Sequence, residues 1–331
     1  MRVVIPMAGY GTRLRPHTWS KPKPLLTVAG KPVLGHVLDT FADLPFVDEV
    51  IFLVGYLGDQ IEAYVSRAYP HIRARYVEQK EMLGQSHAIW LARESLHGPM
   101  LMIFVDTLIE ADLGRLANDP SQAVAYVQEV AAPRRFGVVE VGKDGWARRL
   151  VEKPQDLTNN LAVVGLYYFR EAGELLAAIE EQMARGTQLK GEYYLADAIN
   201  VMLERGLKMR VEPVAVWMDC GKPESLLETN RFLLDHGRDN SAEVARRPGV
   251  VVLPPVYVDP TAEVRHAVLG PHLTVGARCI VERSLLQDSI IDDGSHIRDT
   301  MLSGSLIGRE ARVVGRYRSL NVGDSSEVGF V

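Results

Sequence analysis

Residues 8–16 read AGYGTRLRP and residues 21–26 read KPKPLL, and this stretch is the most informative in the chain. It follows the apolar run VVIPM at 3–7, which has the character of a buried first strand. Glycines at a strand end let the backbone approach phosphate oxygens, with N–H groups pointing at the anion. The side chains of Arg13, Arg15 and Lys23 can then neutralise charge that backbone dipoles cannot. The stretch therefore predicts a polyphosphate-binding turn at the first strand of an α/β domain.

Two common phosphate-binding motifs are excluded at this turn. Leu14 stands where the dinucleotide fingerprint G-x-G-x-x-G needs its third glycine. No Gly-Lys-Ser/Thr follows, so the stretch is not a Walker A loop either.

Length and composition limit the class of protein. A chain of 331 residues exceeds the usual size of a single core, so we expect two domains. A net charge of −5, with both signs mixed, argues against a nucleic-acid partner. Cys220 and Cys279 are too few for a disulfide framework or a zinc site. With no signal peptide and no apolar run that could span a bilayer, we expect a cytoplasmic protein without a membrane partner.

The first domain is predicted to span residues 1–236, because apolar strand-like runs alternate there with amphipathic stretches. The predicted strands are 2–7, 49–54, 72–77, 100–105, 123–128, 136–141 and 162–169. The predicted helices are 31–42, 58–68, 84–95, 171–184, 192–205 and 223–236. This alternation favours an α/β, Rossmann-like domain with a mainly parallel sheet, whose ligands sit at the carboxyl ends of the strands.

A different pattern follows a predicted linker at 237–249 and fills the second domain, 250–331. Aliphatic residues recur with a period of 16 to 17 residues, at Val264, Val281, Ile297 and Val313, and again six positions earlier in each copy, at Val258, Val275, Ile291 and Ile307. Short strands every six residues without a helical pattern predict a solenoid. The hexapeptide spacing resembles the left-handed parallel β-helix, and its handedness is taken from that resemblance.

The motif G-x-G-T-R-L-x-P, followed by P-K-x-L-L, resembles the signature of the sugar-1-phosphate nucleotidylyltransferases. These enzymes make an NDP-sugar and pyrophosphate from an NTP and a sugar 1-phosphate. The resemblance implies Mg²⁺ as cofactor and catalytic cations at Arg13, Lys23 and Lys153. It implies nucleotide binding by the turn residues Ala8, Gly9, Gly11 and Thr12.

Two aspartates are candidate magnesium ligands, since magnesium takes one or two carboxylates together with phosphate oxygens. Asp106 ends the apolar run 100–105, at the carboxyl end of a predicted strand. Asp219 lies in the segment WMDCG at 217–221, which is similar to the family's W-x-D-x-G. Val105 stands where the family usually has glycine.

Further segments of the resemblance imply contacts to the sugar and the base. Glu152 and Lys153, in an E-K-P segment, would bind sugar hydroxyls and the sugar phosphate. Gly137 and Gly165 would line the sugar pocket without a side chain. Gln79 and Gly84 would bind the base, and a glutamine amide matches the donor and acceptor of uracil or thymine. We therefore expect dTTP or UTP as the nucleotide and glucose 1-phosphate as the sugar.

Other functions stay open at this stage. One is a guanylyltransferase acting on mannose 1-phosphate. A second is a bifunctional enzyme with acyltransferase activity in the β-helix, for which His266, His272 and His296 are candidates. A third is a non-catalytic regulatory subunit. We also expect a homo-oligomer with the β-helix at or near an interface.

Overall fold

The structure is a computed structural model in which residues 1–315 are described. It divides into two compact units, of which the first holds Met1–Thr27 and Lys31–Thr229. The second holds Val28–Gly30 and the chain from Asn230 onward. Residues 316–331 of the predicted second domain lie outside the described part.

The first strands and helices follow the alternation that the sequence predicts. The strands up to residue 219 are β1 (Arg2–Pro6), β2 (Thr27–Val28), β3 (Lys31–Pro32), β4 (Glu49–Val54), β5 (Ala74–Glu78), β6 (Met100–Ile103), β7 (Thr107–Glu110), β8 (Ala123–Glu129), β9 (Gly137–Val141), β10 (Ala147–Glu152), β11 (Leu161–Phe169), β12 (Met209–Pro213) and β13 (Val216–Asp219). The helices are α1 (Val33–Asp39), α2 (Gly58–Ala68), α3 (Gln85–Leu91), α4 (Ala172–Ala184), α5 (Leu195–Glu204), α6 (Pro223–Leu233) and α7 (Ser241–Val244).

The main sheet of the first unit has the order β10-β9-β11-β6-β1-β4-β5, and β8 and β12 extend it from β11. Strands β6, β1, β4 and β5 run parallel to one another. Strand β11 is antiparallel to β6, β8 and β9, so the sheet is mixed. Both faces of β4 are buried, which is expected for a central strand between helical layers. The Rossmann-like architecture is confirmed, with an antiparallel part that begins at β11.

The second unit contains the predicted β-helix. Its strands are β14 (Val250–Val252), β15 (Val256–Val258), β16 (Glu263–Arg265), β17 (Ala267–Leu269), β18 (Leu273–Val275), β19 (Ile280–Glu282), β20 (Leu285–Leu286), β21 (Ser289–Ile291), β22 (His296–Arg298), β23 (Met301–Leu302), β24 (Leu306–Ile307) and β25 (Arg312–Val314). They form three parallel sheets, β14-β17-β20-β23, β15-β18-β21-β24 and β16-β19-β22-β25. This is the arrangement expected of a left-handed parallel β-helix.

The register of the coils matches the repeat alignment. Val264 pairs with Val281, Val281 with Ile297 and Ile297 with Val313. The second aliphatic series pairs in the same way, from Val258 through Val275 and Ile291 to Ile307. Both series pack into one apolar core inside the coils. The period in the sequence is therefore the length of one turn of the helix.

The stretch 237–249, predicted to be a linker, contains α7. Val244 of α7 is fully buried in the core of the second unit. Asn240 bonds Val258 in both directions: its Nδ2 donates to the Val258 carbonyl and its Oδ1 accepts from the Val258 N–H, each at 2.9 Å. Part of this stretch is thus packed on the β-helix instead of forming a free connection. The domain boundaries at 236 and 250 remain predictions.

The buried residue Asn230 links the start of the second unit to its coils by hydrogen bonds. Oδ1 of Asn230 accepts from the Ala29 N–H at 2.8 Å and from Oγ1 of Thr274 at 2.7 Å. Its Nδ2 donates to the His272 carbonyl at 3.2 Å. Because a buried amide without partners would cost free energy, these bonds fix the position of Asn230 against the coils.

The β-helix register predicts different losses of stability on truncating two neighbouring leucines. Leu286 is fully buried in the core of the coils, whereas Leu285 is only partly buried and lies outside that core. Successive side chains of a strand point to opposite faces. Leu286→Ala should lower the free energy of unfolding by about 2–5 kcal/mol through the cavity it leaves. Leu285→Ala should cost about 1 kcal/mol or less. Urea unfolding of the full chain measures both, and equal losses would show that the register is wrong.

Candidate active site

The glycine turn follows the buried strand β1, whose Val3, Val4 and Ile5 are fully buried. Gly11 has a φ of +62°, a left-handed conformation that favours glycine. A Cβ there would lie 3.1 Å from side-chain atoms of Thr18 and Lys23. Oγ1 of Thr18 also donates to the Gly11 carbonyl at 2.9 Å. The turn is thus closed tightly by the segment that carries Lys23.

A cleft with a volume of about 590 Å³ opens beside this turn. All but one of the predicted site residues line it: Ala8, Gly9, Gly11, Thr12, Arg13, Lys23, Gln79, Gly84, Asp106, Gly137, Glu152, Gly165 and Asp219. These residues come from widely separated parts of the sequence. The structure therefore brings the nucleotide, sugar and metal predictions together in one cavity of the first unit.

The antiparallel pairing of β7 with β13 places the two aspartates at the same end of this two-stranded sheet. Asp219 lies opposite Thr107 in that pairing. The N–H of Cys220 donates to the carbonyl of Asp106 at 3.0 Å, which extends the ladder by one bond. Within residues 1–315, no group of three or more His, Cys, Asp or Glu side chains is suited to a metal. Two neighbouring carboxylates are what a magnesium ion bound largely by phosphate oxygens requires.

Cations lie against both carboxylates. Nζ of Lys23 donates to and ion-pairs with Oδ2 of Asp106. Burial raises the pKa of Asp106, but the attraction and hydrogen bond of Lys23, with smaller contributions from a backbone hydrogen bond and Arg13, outweigh it. The pKa of Asp106 is therefore held below its usual value, and this carboxyl is an anion at neutral pH. Nη2 of Arg135 lies 3.7 Å from Oδ2 of Asp219.

Local hydrogen bonds orient the carboxylate of Asp219. Its Oδ1 accepts from the Gly221 N–H at 2.8 Å, and Oγ of Ser225 lies 3.4 Å from its Oδ2. A Cβ at Gly221 would come within 2.8 Å of Oδ1. The glycine of the W-x-D-x-G segment thus makes room for this carboxylate and supplies one of its donors.

The opposite part of the wall is built by glycines beside Glu152. Gly137 pairs with Glu152 across β9 and β10, and a Cβ at Gly137 would lie 3.2 Å from Oε2 of Glu152. Gly165 has a φ of +84°, and a Cβ there would lie 2.5 Å from the Phe104 ring. A side chain at either glycine would therefore collide with a wall residue, Glu152 or Phe104. Burial raises the pKa of Glu152, against the attraction of Lys153.

Lys153 is the predicted site residue that does not line the cleft. Its Nζ donates to the hydroxyl of Tyr194 at 2.9 Å and lies 3.6 Å from Oε1 of Glu152. Burial lowers the pKa of Lys153, but the contacts with Tyr194, Glu152 and Glu192 outweigh it, so the net pKa is raised and the side chain is charged. Reaching a phosphate in the cleft would require Lys153 to leave Tyr194.

Gln79 and Gly84 form the remaining wall. Gln79 is 5% exposed, and its Nε2 donates to the Gly84 carbonyl at 3.0 Å. Gly84, before α3, has a φ of +98°, and a Cβ there would lie 2.6 Å from the backbone N and O of Tyr193. Glycine is required at this position because the backbone of Tyr193 packs directly on it. Gln79 is thereby held in one orientation at the edge of the cleft.

Several wall residues were missed in the sequence. Arg135, Phe136 and Trp217 line the cleft, and the rings of Phe136 and Trp217 meet edge to face with centroids 4.7 Å apart. The indole Nε1 of Trp217 is buried and has no hydrogen-bond partner among residues 1–315. Trp217 is the first residue of the W-x-D-x-G segment and Phe136 directly precedes Gly137, so both positions offered a signal in the sequence. Arg135 follows another arginine in a turn, which looks like an ordinary solvated surface.

A family model described as nucleotidyl transferase matches residues 2–236 of this chain. The chain belongs to the nucleotidyl transferase family. It is 29% identical over 358 residues to the glucose-1-phosphate thymidylyltransferase of Streptomyces antibioticus, with 99% of both chains covered. It is 31% identical over 237 residues to the bifunctional protein GlmU of Methanococcus maripaludis, with 71% of this chain covered. The match spans 55%, about half, of the length of that GlmU relative.

Solved structures share the fold of the first unit. A UDP-glucose pyrophosphorylase complexed with UDP-glucose superposes with a TM-score of 0.62 at 23% identity, covering 71% of this chain and 98% of that one. A putative glucose-1-phosphate thymidylyltransferase from Bacillus anthracis gives a TM-score of 0.61 at 25% identity, covering 70% and 94%. Among the helices described here, none has the length and apolar character needed to cross a membrane.

Proposed function

We propose that this protein transfers a nucleotidyl group from dTTP or UTP to a sugar 1-phosphate, giving an NDP-sugar and pyrophosphate. The observation that carries the proposal is the placement of Asp106 and Asp219 by the pairing of β7 with β13, in a cleft that also holds the glycine turn and its cations. Glucose 1-phosphate is the proposed sugar, in keeping with the name of the Streptomyces relative that aligns along the whole chain.

The reaction joins two anions, so charge and position are its main requirements. A phosphate oxygen of the sugar 1-phosphate attacks the α-phosphorus of the NTP, and the bond to the bridging oxygen of the β-phosphate breaks, so that pyrophosphate leaves. Arg13, Lys23 and the backbone of the glycine turn neutralise the triphosphate and hold it in line. No side-chain nucleophile is needed. The thiol of Cys220 is also unsuited to act as a nucleophile, because burial raises its pKa to about 12.

The carboxylates of Asp106 and Asp219 fit a magnesium ion, and we propose that they hold one. Asp106 is an anion at neutral pH, and Asp219 is oriented by Gly221. Bound there, the ion would supply positive charge between the two phosphates. Glu152, beside Gly137, would accept hydrogen bonds from sugar hydroxyls. Lys153 would bind the sugar phosphate after giving up its hydrogen bond to Tyr194. The exchange is possible because the Tyr194 hydroxyl and a phosphate oxygen can both accept from its ammonium group.

The alternatives are less well supported. The bifunctional reading draws on the GlmU relatives, but this chain spans only about half of their length. In the described coils of the β-helix, successive strands follow one another without a long inserted loop. A non-catalytic subunit would not need the cations and carboxylates that line the cleft. Guanylyl transfer to mannose 1-phosphate, the homo-oligomer and the cytoplasmic location remain predictions.

The proposal is tested by pyrophosphate release from five NTPs, each with several sugar 1-phosphates, with and without Mg²⁺. We expect magnesium-dependent release with dTTP or UTP and glucose 1-phosphate. Omission of the sugar phosphate is the control for simple NTP hydrolysis. No release with any pair would contradict the proposed function, and release with GTP and mannose 1-phosphate alone would favour the guanylyltransferase.

Gln79 should govern the choice of base. Gln79→Ala should lower kcat/KM for dTTP and UTP by about 1–3 kcal/mol of transition-state stabilisation, because hydrogen bonds to the base are lost. Residual activity with purine nucleotides should change much less. Gln128→Ala, on strand β8 outside the cleft, is the matched control. An equal loss with every nucleotide would mean that Gln79 supports the wall without reading the base.

A further inference from the structure

Arg135 is a cation of the cleft that no motif of the sequence pointed to. It ends a short 3-10 turn, Pro133–Arg135, which a single residue separates from β9. Both Arg134 and Arg135 are exposed, but only Arg135 is among the cleft-lining residues. Of these two adjacent arginines, Arg135 alone lines the cavity.

The guanidinium of Arg135 is near an anion without being bound to it. Its Nη2 is 3.7 Å from Oδ2 of Asp219, which is beyond a hydrogen bond. Its other contact is with the Phe136 ring, whose centroid is 5.6 Å from Cζ. Within residues 1–315, the structure shows no hydrogen bond donated by this side chain. Arg231, by contrast, gives two bonds of 2.5 and 2.6 Å to Asp288.

The contacts of the two aspartates show that Arg135 can turn towards another anion at little cost. Lys23 forms an ion pair with Asp106 in the structure. Asp219 takes its close donors from the Gly221 N–H and from Ser225. Because the contact with Asp219 is long and 44% of the Arg135 side chain is exposed, little is lost when the guanidinium turns towards another anion.

We propose that Arg135 binds the phosphate oxygens of the nucleotide and of the leaving pyrophosphate, as a third cation beside Arg13 and Lys23. This inference rests on the proposed function, whose substrate supplies the polyphosphate. A guanidinium presents a planar fork that matches two phosphate oxygens, which a lysine cannot reproduce. In the structure Nη2 of Arg135 lies 3.7 Å from Oδ2 of Asp219, and its Cζ lies 5.6 Å from the centroid of the Phe136 ring.

The test is the affinity of the full-length protein for inorganic pyrophosphate with Mg²⁺, measured by isothermal titration calorimetry. Arg135→Gln should weaken the affinity about 10- to 100-fold, the cost of a lost charge-assisted hydrogen bond. Arg135→Lys should fall between Arg135→Gln and the wild type. Arg134→Gln, its neighbour outside the cleft, should stay within about 2-fold of the wild type, a small effect for a solvated charge. Thermal unfolding of each variant checks that the fold is kept.

Equal affinities of Arg135→Gln and Arg134→Gln would overturn the inference. A second titration, with Mn²⁺ alone, separates phosphate binding from an indirect effect through Asp219. If Arg135→Gln weakened Mn²⁺ binding as much as pyrophosphate binding, Arg135 would only orient Asp219, and the inference would be wrong. Pyrophosphate release by the wild type is measured separately, so that a failure of the proposed function is distinguishable from a failure of this inference.

Discussion

The site depends on one backbone constraint, the antiparallel pairing of β7 with β13. Thr107 lies opposite Asp219 in this pairing, and the Cys220 N–H extends it to the carbonyl of Asp106. Without this pairing, nothing in the backbone would keep the two carboxylates in one cleft, since like charges repel one another. Lys23 compensates part of that repulsion by its ion pair with Asp106. The fold thus brings two carboxylates to one cleft, where they fit a divalent cation that is bound mainly by phosphate oxygens.

Much of the architecture could be predicted because it rests on local or repeated patterns. The buried strand β1 and the glycine turn are contiguous in sequence, so their function could be inferred from a single stretch. The β-helix register follows from residues such as Val264 and Val281, whose spacing equals one coil and whose side chains fill the same core. In the β-helix the period of the sequence equals the length of one coil.

The rest depends on contacts that a linear pattern does not encode. Strands β7 and β13 have four residues each, too few for an alternation to stand out. The antiparallel direction of β11 is set by its neighbours and not by its own composition. Lys153 was assigned to the site from its E-K-P motif, but its contact with Tyr194 comes from α5 and its preceding loop. Arg135 differs from Arg134 only through the direction in which the turn presents each side chain.

The central proposal is that Asp106 and Asp219 hold one divalent cation together. Its most direct test is a double-mutant cycle on Mn²⁺ affinity, measured by electron paramagnetic resonance with a non-hydrolysable NTP analogue present. We expect one tight ion per chain, a large loss of affinity in Asp106→Asn and in Asp219→Asn, and a double variant scarcely weaker than either single one. Asp43→Asn, a substitution at a side chain that is 97% exposed, should leave the affinity unchanged. Two independent ions per chain, or losses that simply add, would contradict binding of one ion by both carboxylates.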